Sequence, residues 1–334
     1  METTSVPNLV VGIVPDGDKL IKVDEYEDND DVNTTNEPFL KQTGTFKVNS
    51  KTLAEESNYF AAMFRNQWRE TSTEATPKHD TVKSIEVWLR VLHGTTVAVE
   101  SVSISDVWYM IKTRDKYDVL LEKISTWFDQ RFTHQKAKNH RQLLFPCYAF
   151  DHGARFQYLT KHLAYSKGGH ITESNPTSLR EMHLPSRVIQ QLNAARGHLR
   201  NILHRDLFEE TKSMINYGAC VKIWSMEEVA SRNSINKILE WLEEFDEEKM
   251  RDKMSSSAFG SKPLCNSCNR PWKGIVDDAI ETVRTYFDGL CLDCMGKSKT
   301  VVRSVDDDCR VRHREPTHYF SFMGRREKRG LTAD

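Results

Sequence analysis

The stretch Val10-Val-Gly-Ile-Val14-Pro-Asp-Gly-Asp18-Lys-Leu20-Ile-Lys-Val23 sets the character of the front of the chain. Two short runs rich in Val and Ile flank Pro15-Asp16-Gly17-Asp18. Asp-Gly between apolar runs is a strong hairpin signal, because both residues tolerate the positive φ of a tight turn. The spacing therefore predicts strand, turn, strand over 10–23. Asp24 to Pro38 is polar and acidic and reads as a loop. Phe39 to Val48 alternates weakly and predicts a further strand.

Helical signals follow. Thr52-Leu-Ala-Glu55 has the form of a capping box, and Ser57 stands where a second helix would be capped, with Phe60, Met63 and Phe64 on one face. Ile85, Trp88, Leu89 and Leu92 fall at i, i+3, i+4 and i+7, and Gly94 suits the stop. Val97 and Val99 suggest a short strand. Ser105 reads as the cap of a helix carrying Trp108 and Ile111, and Leu121, Ile124 and Phe128 mark the next. Short strands followed by short helices predict an α+β domain over 8–133.

A helical region is expected over 134–254. Phe156, Leu159 and Leu163 mark one helix. Pro185 sits where a first-turn proline belongs, and Val188, Leu192, Ala195, Leu199 and Ile202 then recur at steps of three and four. So short a seam favours packing within the chain over a dimeric coiled coil. Ser225-Met-Glu-Glu228 is a capping box, and Ile235, Ile238, Leu239 and Leu242 share a face. Residues 255–263, rich in Ser and Gly, read as a linker. A cysteine-rich module over 264–324 and a basic tail over 325–334 complete the chain.

The totals bound the function. The 334 residues suit roughly two domains. With 28% charged residues and a net charge of −1, the chain is not built as a basic glove for nucleic acid. No apolar run is long enough to span a membrane. The N-terminus lacks the basic-then-apolar pattern of a secretory signal, so an intracellular location, cytoplasm or nucleus, is expected. In a reducing compartment the 7 cysteines point to metal ligation or burial before disulfides.

Cys265-Asn-Ser-Cys268 and Cys291-Leu-Asp-Cys294 are the strongest chemical signal. A two-residue gap lets both thiolates of a turn face one ion, and two such turns supply the tetrahedron of structural zinc. Cys309 and His313 lie nearby and are further candidates, replacing one pair or serving a second ion. The intervening Ile275 to Phe287 predicts a helix with Ile280, Val283 and Phe287 packed near the metal. A Cys-x-x-Cys redox enzyme is disfavoured, because no thioredoxin-like order surrounds either pair. The chain also lacks Gly-x-Ser-x-Gly, His-Glu-x-x-His, Walker and dinucleotide fingerprints, so no enzyme and no catalytic residue is expected. Cys147 and Cys220 read as small buried groups.

Taken together, residues 8–133 resemble a BTB/POZ domain of the type abundant in filamentous fungi. The resemblance rests on Pro15-Asp16-Gly17-Asp18, Phe46-Lys-Val48 before Ser50-Lys-Thr-Leu53, Ser57-Asn-Tyr-Phe60-Ala-Ala-Met63-Phe64, Trp88-Leu-Arg-Val-Leu92-His93-Gly94 and Arg114-Asp115-Lys116-Tyr117-Asp118. Residues 145–330 are similar to the tail of one fungal subgroup, through Leu184-Pro185, Tyr286 to Cys294 and Tyr319 to Arg325. The resemblance implies a small β-sheet capped by short helices, a helical region and a zinc-ribbon-like module. It also implies a protein-binding scaffold that dimerises, with itself or another chain, through its first strands and helices. Recruitment of a cullin-type ubiquitin ligase scaffold is one use of that fold. A nuclear role through the basic and aromatic residues 310–329 is the other alternative.

Overall fold

The computed structural model describes residues 7–27, 39–65, 80–95, 102–119, 121–133, 139–209, 234–256, 271–295 and 309–313. The architecture is mixed α+β. The chain divides into two units, Met1–His152 with Ser174–His183, and Gly153–Glu173 with Leu184–Asp334. Among the described residues no helix is long and apolar enough to cross a membrane.

The first unit is organised on strand Leu40–Val48 (β3). It pairs in parallel with Asn8–Gly12 (β1) and antiparallel with Lys19–Tyr26 (β2), giving the order β1-β3-β2. The expected hairpin therefore does not form: β3 lies between the two strands. Phe46 explains the insertion, since it stands opposite Val11 on one side and Ile21 on the other and is fully buried. Pro15-Asp16-Gly17-Asp18 becomes a corner over the end of β3. The amide of Asp18 donates to the Val48 carbonyl (3.0 Å), and its carboxylate accepts from the amide and hydroxyl of Ser50 (2.7 and 2.6 Å). Any side chain at Gly17 would meet the Val48 carbonyl at 2.8 Å.

β2 also runs further than the acidic composition suggested. Ile21, Val23 and Glu25 alternate inward, so Asp24–Tyr26 are strand and not loop. Buried Glu25 accepts from Lys41 (2.6 Å), from Gln42 (2.7 Å) and from the amide of Val82 (2.8 Å), the first residue of helix Val82–Leu92 (α3). An anion at that terminus complements the unpaired amides of the first turn. Glu25→Ala is expected to destabilise the first unit by about 2–3 kcal/mol, because three donors lose one acceptor. Urea unfolding of the variant beside the parent checks this, and an unchanged midpoint would exclude the role.

Helices Ser50–Glu56 (α1) and Asn58–Arg65 (α2) follow β3. Asn49, not Thr52, caps α1 by accepting from the Thr52 amide (3.0 Å), whereas Ser57 meets the expectation and accepts from the Phe60 amide (3.3 Å). His93 closes the end of α3 against α1. Its Nε2 accepts from the Asn49 amide (3.1 Å), which leaves Nδ1 to donate to the Leu89 carbonyl (2.7 Å). Ile104–Tyr117 (α4) is capped two residues before the predicted Ser105, by Ser103, which forms a reciprocal capping box with Asp106. Trp88 binds α3 to α4 by donating to the Met110 carbonyl (3.0 Å). Leu121–Thr133 (α5) buries Ile124 and Phe128 as predicted.

His140–Ala149 (α6) contains Pro146, which has no N–H for the Gln142 carbonyl one turn earlier. The indole of fully buried Trp108 donates to that carbonyl (2.8 Å), so the helix pays no orphaned acceptor for its proline. Cys147 is buried as expected.

The residues Arg114 to Asp118, part of the BTB-like pattern, prove to be a structural knot. Asp80, 4% exposed, accepts from Lys116 (2.5 Å) and from the Tyr117 hydroxyl (2.9 Å). Burial, then the Asp80 charge, pushes the Tyr117 phenol well above its ordinary value. The Tyr117 carbonyl accepts from Ser57 (2.5 Å), and its ring stacks on Phe60. Asp118, in the left-handed region at φ 47, accepts from Asn58 (2.7 Å). The loop before α3, the start of α2 and the end of α4 are thus fastened together.

The second unit is helical. Gly153–Ser166 (α7) and Ser186–His204 (α8) bury the predicted Phe156, Leu159 and Leu163, and Val188, Leu192, Ala195, Leu199 and Ile202. Pro185 is the residue before α8, and the helix ends in a wider π-turn, Arg205–Glu209. The seam of α8 packs against α7 and against Trp272–Tyr286 (α11), as an intrachain core. Ile235–Glu243 (α9), capped by Ser234, buries Ile235, Ile238, Leu239 and Leu242. Glu247–Ser256 (α10) extends into the start of the predicted linker. The box at Ser225, Val97, Val99, Cys220 and the tail from 314 onward lie outside the described residues.

Candidate metal centre

The C-terminal end of α11 is anchored before the cysteines begin. The Tyr165 hydroxyl of α7 donates to the Val283 carbonyl (2.6 Å), and Lys161 pairs with Asp288 (3.2 Å). Burial raises the Tyr165 phenol to about 12. The chain then turns at Gly289, whose φ of +101° suits glycine alone. A methyl group there would lie 2.1 Å from the Gln157 carbonyl. The Leu290 amide donates to the Thr160 hydroxyl (2.8 Å), which fixes the entry to the short helix Leu292–Met295 (α12). Gly289→Ala is expected to lower the unfolding midpoint of the second unit sharply, costing on the order of 2–4 kcal/mol through strain and displaced backbone. Equal melting temperatures would contradict that close approach.

Cys291 and Cys294 stand at i and i+3 around α12, 3% and 7% exposed. The segment Cys309–His313 returns over them. Cys294 Sγ lies 3.5 Å from Cys309 Sγ and 3.3 Å from His313 Nε2, and the ligand atoms of all four residues fall within 4.8 Å of one another. A tetrahedral zinc ion with Zn–S bonds of about 2.3 Å needs ligand atoms roughly 3.5–3.8 Å apart. The two short distances approach that spacing, and the four side chains could bind a metal ion.

The electrostatics give a second argument. Cys291 is lowered below the ordinary thiol value, chiefly by a hydrogen bond from Cys294, with His313 adding to it. Cys294 is raised, first by donating to Cys291 and then by burial. Left to themselves, the buried sulfurs favour one thiolate stabilised by a neighbouring thiol, because a second anion would face the first. A divalent cation removes that conflict by attracting every thiolate at once.

The returning segment is held independently of any ion. The Asp293 carboxylate accepts from the Arg310 amide (2.9 Å) and pairs with its guanidinium (2.8 Å). Gln157 of α7 donates to the Arg312 carbonyl (2.8 Å), and Val311 is buried against the cysteines. Arg310, read in the sequence as the start of a basic run, is thus engaged beside the site. Asp293, Gln157, Thr160 and Gly289 went unremarked as supports. Only Asp293 carried a signal, from its place between two ligands.

Of the six sequence candidates, the structure brings Cys291, Cys294, Cys309 and His313 together. Cys265 and Cys268 lie outside the described residues. Elsewhere in the second unit, α7, α9 and α11 enclose a recess of about 360 Å³ that includes Lys161, Tyr165 and Arg284. Three of its polar groups are engaged in packing contacts: Lys161 with Asp288, Tyr165 with Val283 and Arg284 with Glu243. No protein-family model, no curated protein and no solved structure matches the chain, so the reading of this centre stands on its four converging side chains.

Proposed function

We propose that this chain is a protein-binding scaffold: its front unit pairs with another protein surface, and its rear unit is stapled by a structural zinc ion at Cys291, Cys294, Cys309 and His313. The observation that carries this reading is the convergence of three sulfurs and one imidazole, a set of four donors for one ion. A closed site holds a fold, whereas catalytic zinc keeps a position for water or substrate.

The front unit supports a surface role. Among the described residues β1 lies at the edge of its sheet, and Leu9 and Val10 on it are 44% and 70% exposed. Leu20 on β2, across β3 from β1, and Phe39 on the approach to β3 are 56% and 64% exposed. An apolar edge strand with free backbone groups is a template for another chain. Of the aromatic run on α2, Phe60 is core while Met63 and Phe64 are half-buried. This agrees with the BTB-like pattern, in which early strands and helices form the dimer.

Native mass spectrometry of the purified full chain tests both halves together. The expected result is a complex of two chains carrying one zinc per chain, and a dimer broken by Val10→Asp. A metal-free monomer would overturn the proposal.

A further inference from the structure

We infer that the metal centre can be closed in a second way, by a Cys294–Cys309 disulfide formed when a peroxide displaces the ion. This rests on the zinc reading above and adds a redox response to it. Cys309 is the partly exposed residue of the cluster, while Cys291 and Cys294 are buried, so an oxidant reaches Cys309 first. The Cys294 sulfur lies 3.5 Å away, already at the distance from which a resolving thiolate attacks.

The chemistry balances. The Cys309 thiolate attacks one peroxide oxygen, the O–O bond breaks, and a sulfenic acid forms with release of hydroxide, which takes a proton to become water. The Cys294 thiolate then attacks the Cys309 sulfur, the S–O bond breaks, and a second hydroxide leaves as water after protonation. Two thiolates lose two electrons in all, and one peroxide is reduced to two waters. The ion keeps only Cys291 and His313, an incomplete set, and dissociates.

The structural consequence distinguishes oxidation from simple metal loss. The metal ties Cys309–His313 to α12, and so does the disulfide, because Cys294 belongs to α12 and Cys309 to the returning segment. The oxidised protein is therefore metal-free yet keeps this segment in place. A reduced protein stripped by a chelator keeps non-covalent contacts such as Asp293–Arg310 and Gln157–Arg312 but has neither the metal nor the covalent tie between the two sulfurs.

The test starts from full-length protein of measured zinc content and treats it with hydrogen peroxide. Released zinc is followed with a colorimetric chelator, and disulfides are mapped after alkylation. The inference predicts one zinc lost per disulfide formed, the bridge at Cys294–Cys309, and hydrogen exchange at the Arg310 amide as slow as in the zinc form. Chelator-treated reduced protein should exchange there much faster. A Cys291–Cys294 bridge, zinc loss with over-oxidised Cys309 and no bridge, or zinc retained through peroxide treatment would each overturn it. Starting protein that contains no zinc would overturn the zinc reading itself and this inference with it.

Discussion

Cys294→Ser is expected to weaken zinc binding by about 100- to 1,000-fold and to loosen the second unit. Structural zinc sites of this size carry apparent binding energies of about 10–16 kcal/mol, so one ligand of four accounts for roughly 3–4 kcal/mol. Each 1.4 kcal/mol is tenfold. Cys294 is the costliest ligand to replace, because it touches Cys309 and His313 directly and is buried among the others. Serine keeps the size and removes the thiolate, so the effect is one of ligation and not of packing. Competition against a chelator of known affinity measures it. The expected companion is a lower melting temperature for the variant, which added zinc restores only weakly. A variant with parental affinity would remove Cys294 from the site.

Asp80→Ala carries the second large effect, of about 3 kcal/mol on the first unit. The carboxylate is buried and is the common acceptor of Lys116 and the Tyr117 hydroxyl. Breaking a buried pair by removing one partner costs about 3–5 kcal/mol. The lower end applies, because the Lys116 side chain is 32% exposed and can turn into water. The Tyr117 hydroxyl, in contrast, is left without its acceptor in a buried place. Tyr117→Phe removes the donor and leaves Asp80 with Lys116, so a smaller loss of about 1 kcal/mol is expected. The double variant should then cost less than the two losses added together. Additive losses in urea titrations would show that the two side chains act separately.

Elements whose signals are local were legible in the sequence. The seam of α8 and the apolar face of α9 could be read directly, because period 3.6 is written along a single helix. Helix caps were legible to within a few residues. Where several polar residues stand in a row, as at Ser103 and Ser105, the true cap is the one whose side chain reaches the amide three residues on. Strand pairing was less legible. The Asp-Gly signal at 16–17 reports a turn, but it cannot report that Phe46 arrives later and takes the place between the strands. Nor does composition reveal that Glu25 is an inward strand residue, since its partners Lys41 and Val82 come from distant segments. The metal centre divides in the same way. Cys291-Leu-Asp-Cys294 was legible as half a site from its spacing. The structure adds Cys309 and His313 beside it, a return that spacing alone could not report, while Cys265 and Cys268 lie outside the described residues.

X-ray absorption at the zinc edge on the purified full chain reads the ligand set itself. Three sulfur neighbours are expected at about 2.3 Å and one nitrogen at about 2.0–2.1 Å, with the multiple-scattering signature of one imidazole. A shell of four sulfurs, or protein that holds no metal after purification in zinc-containing medium, would contradict it.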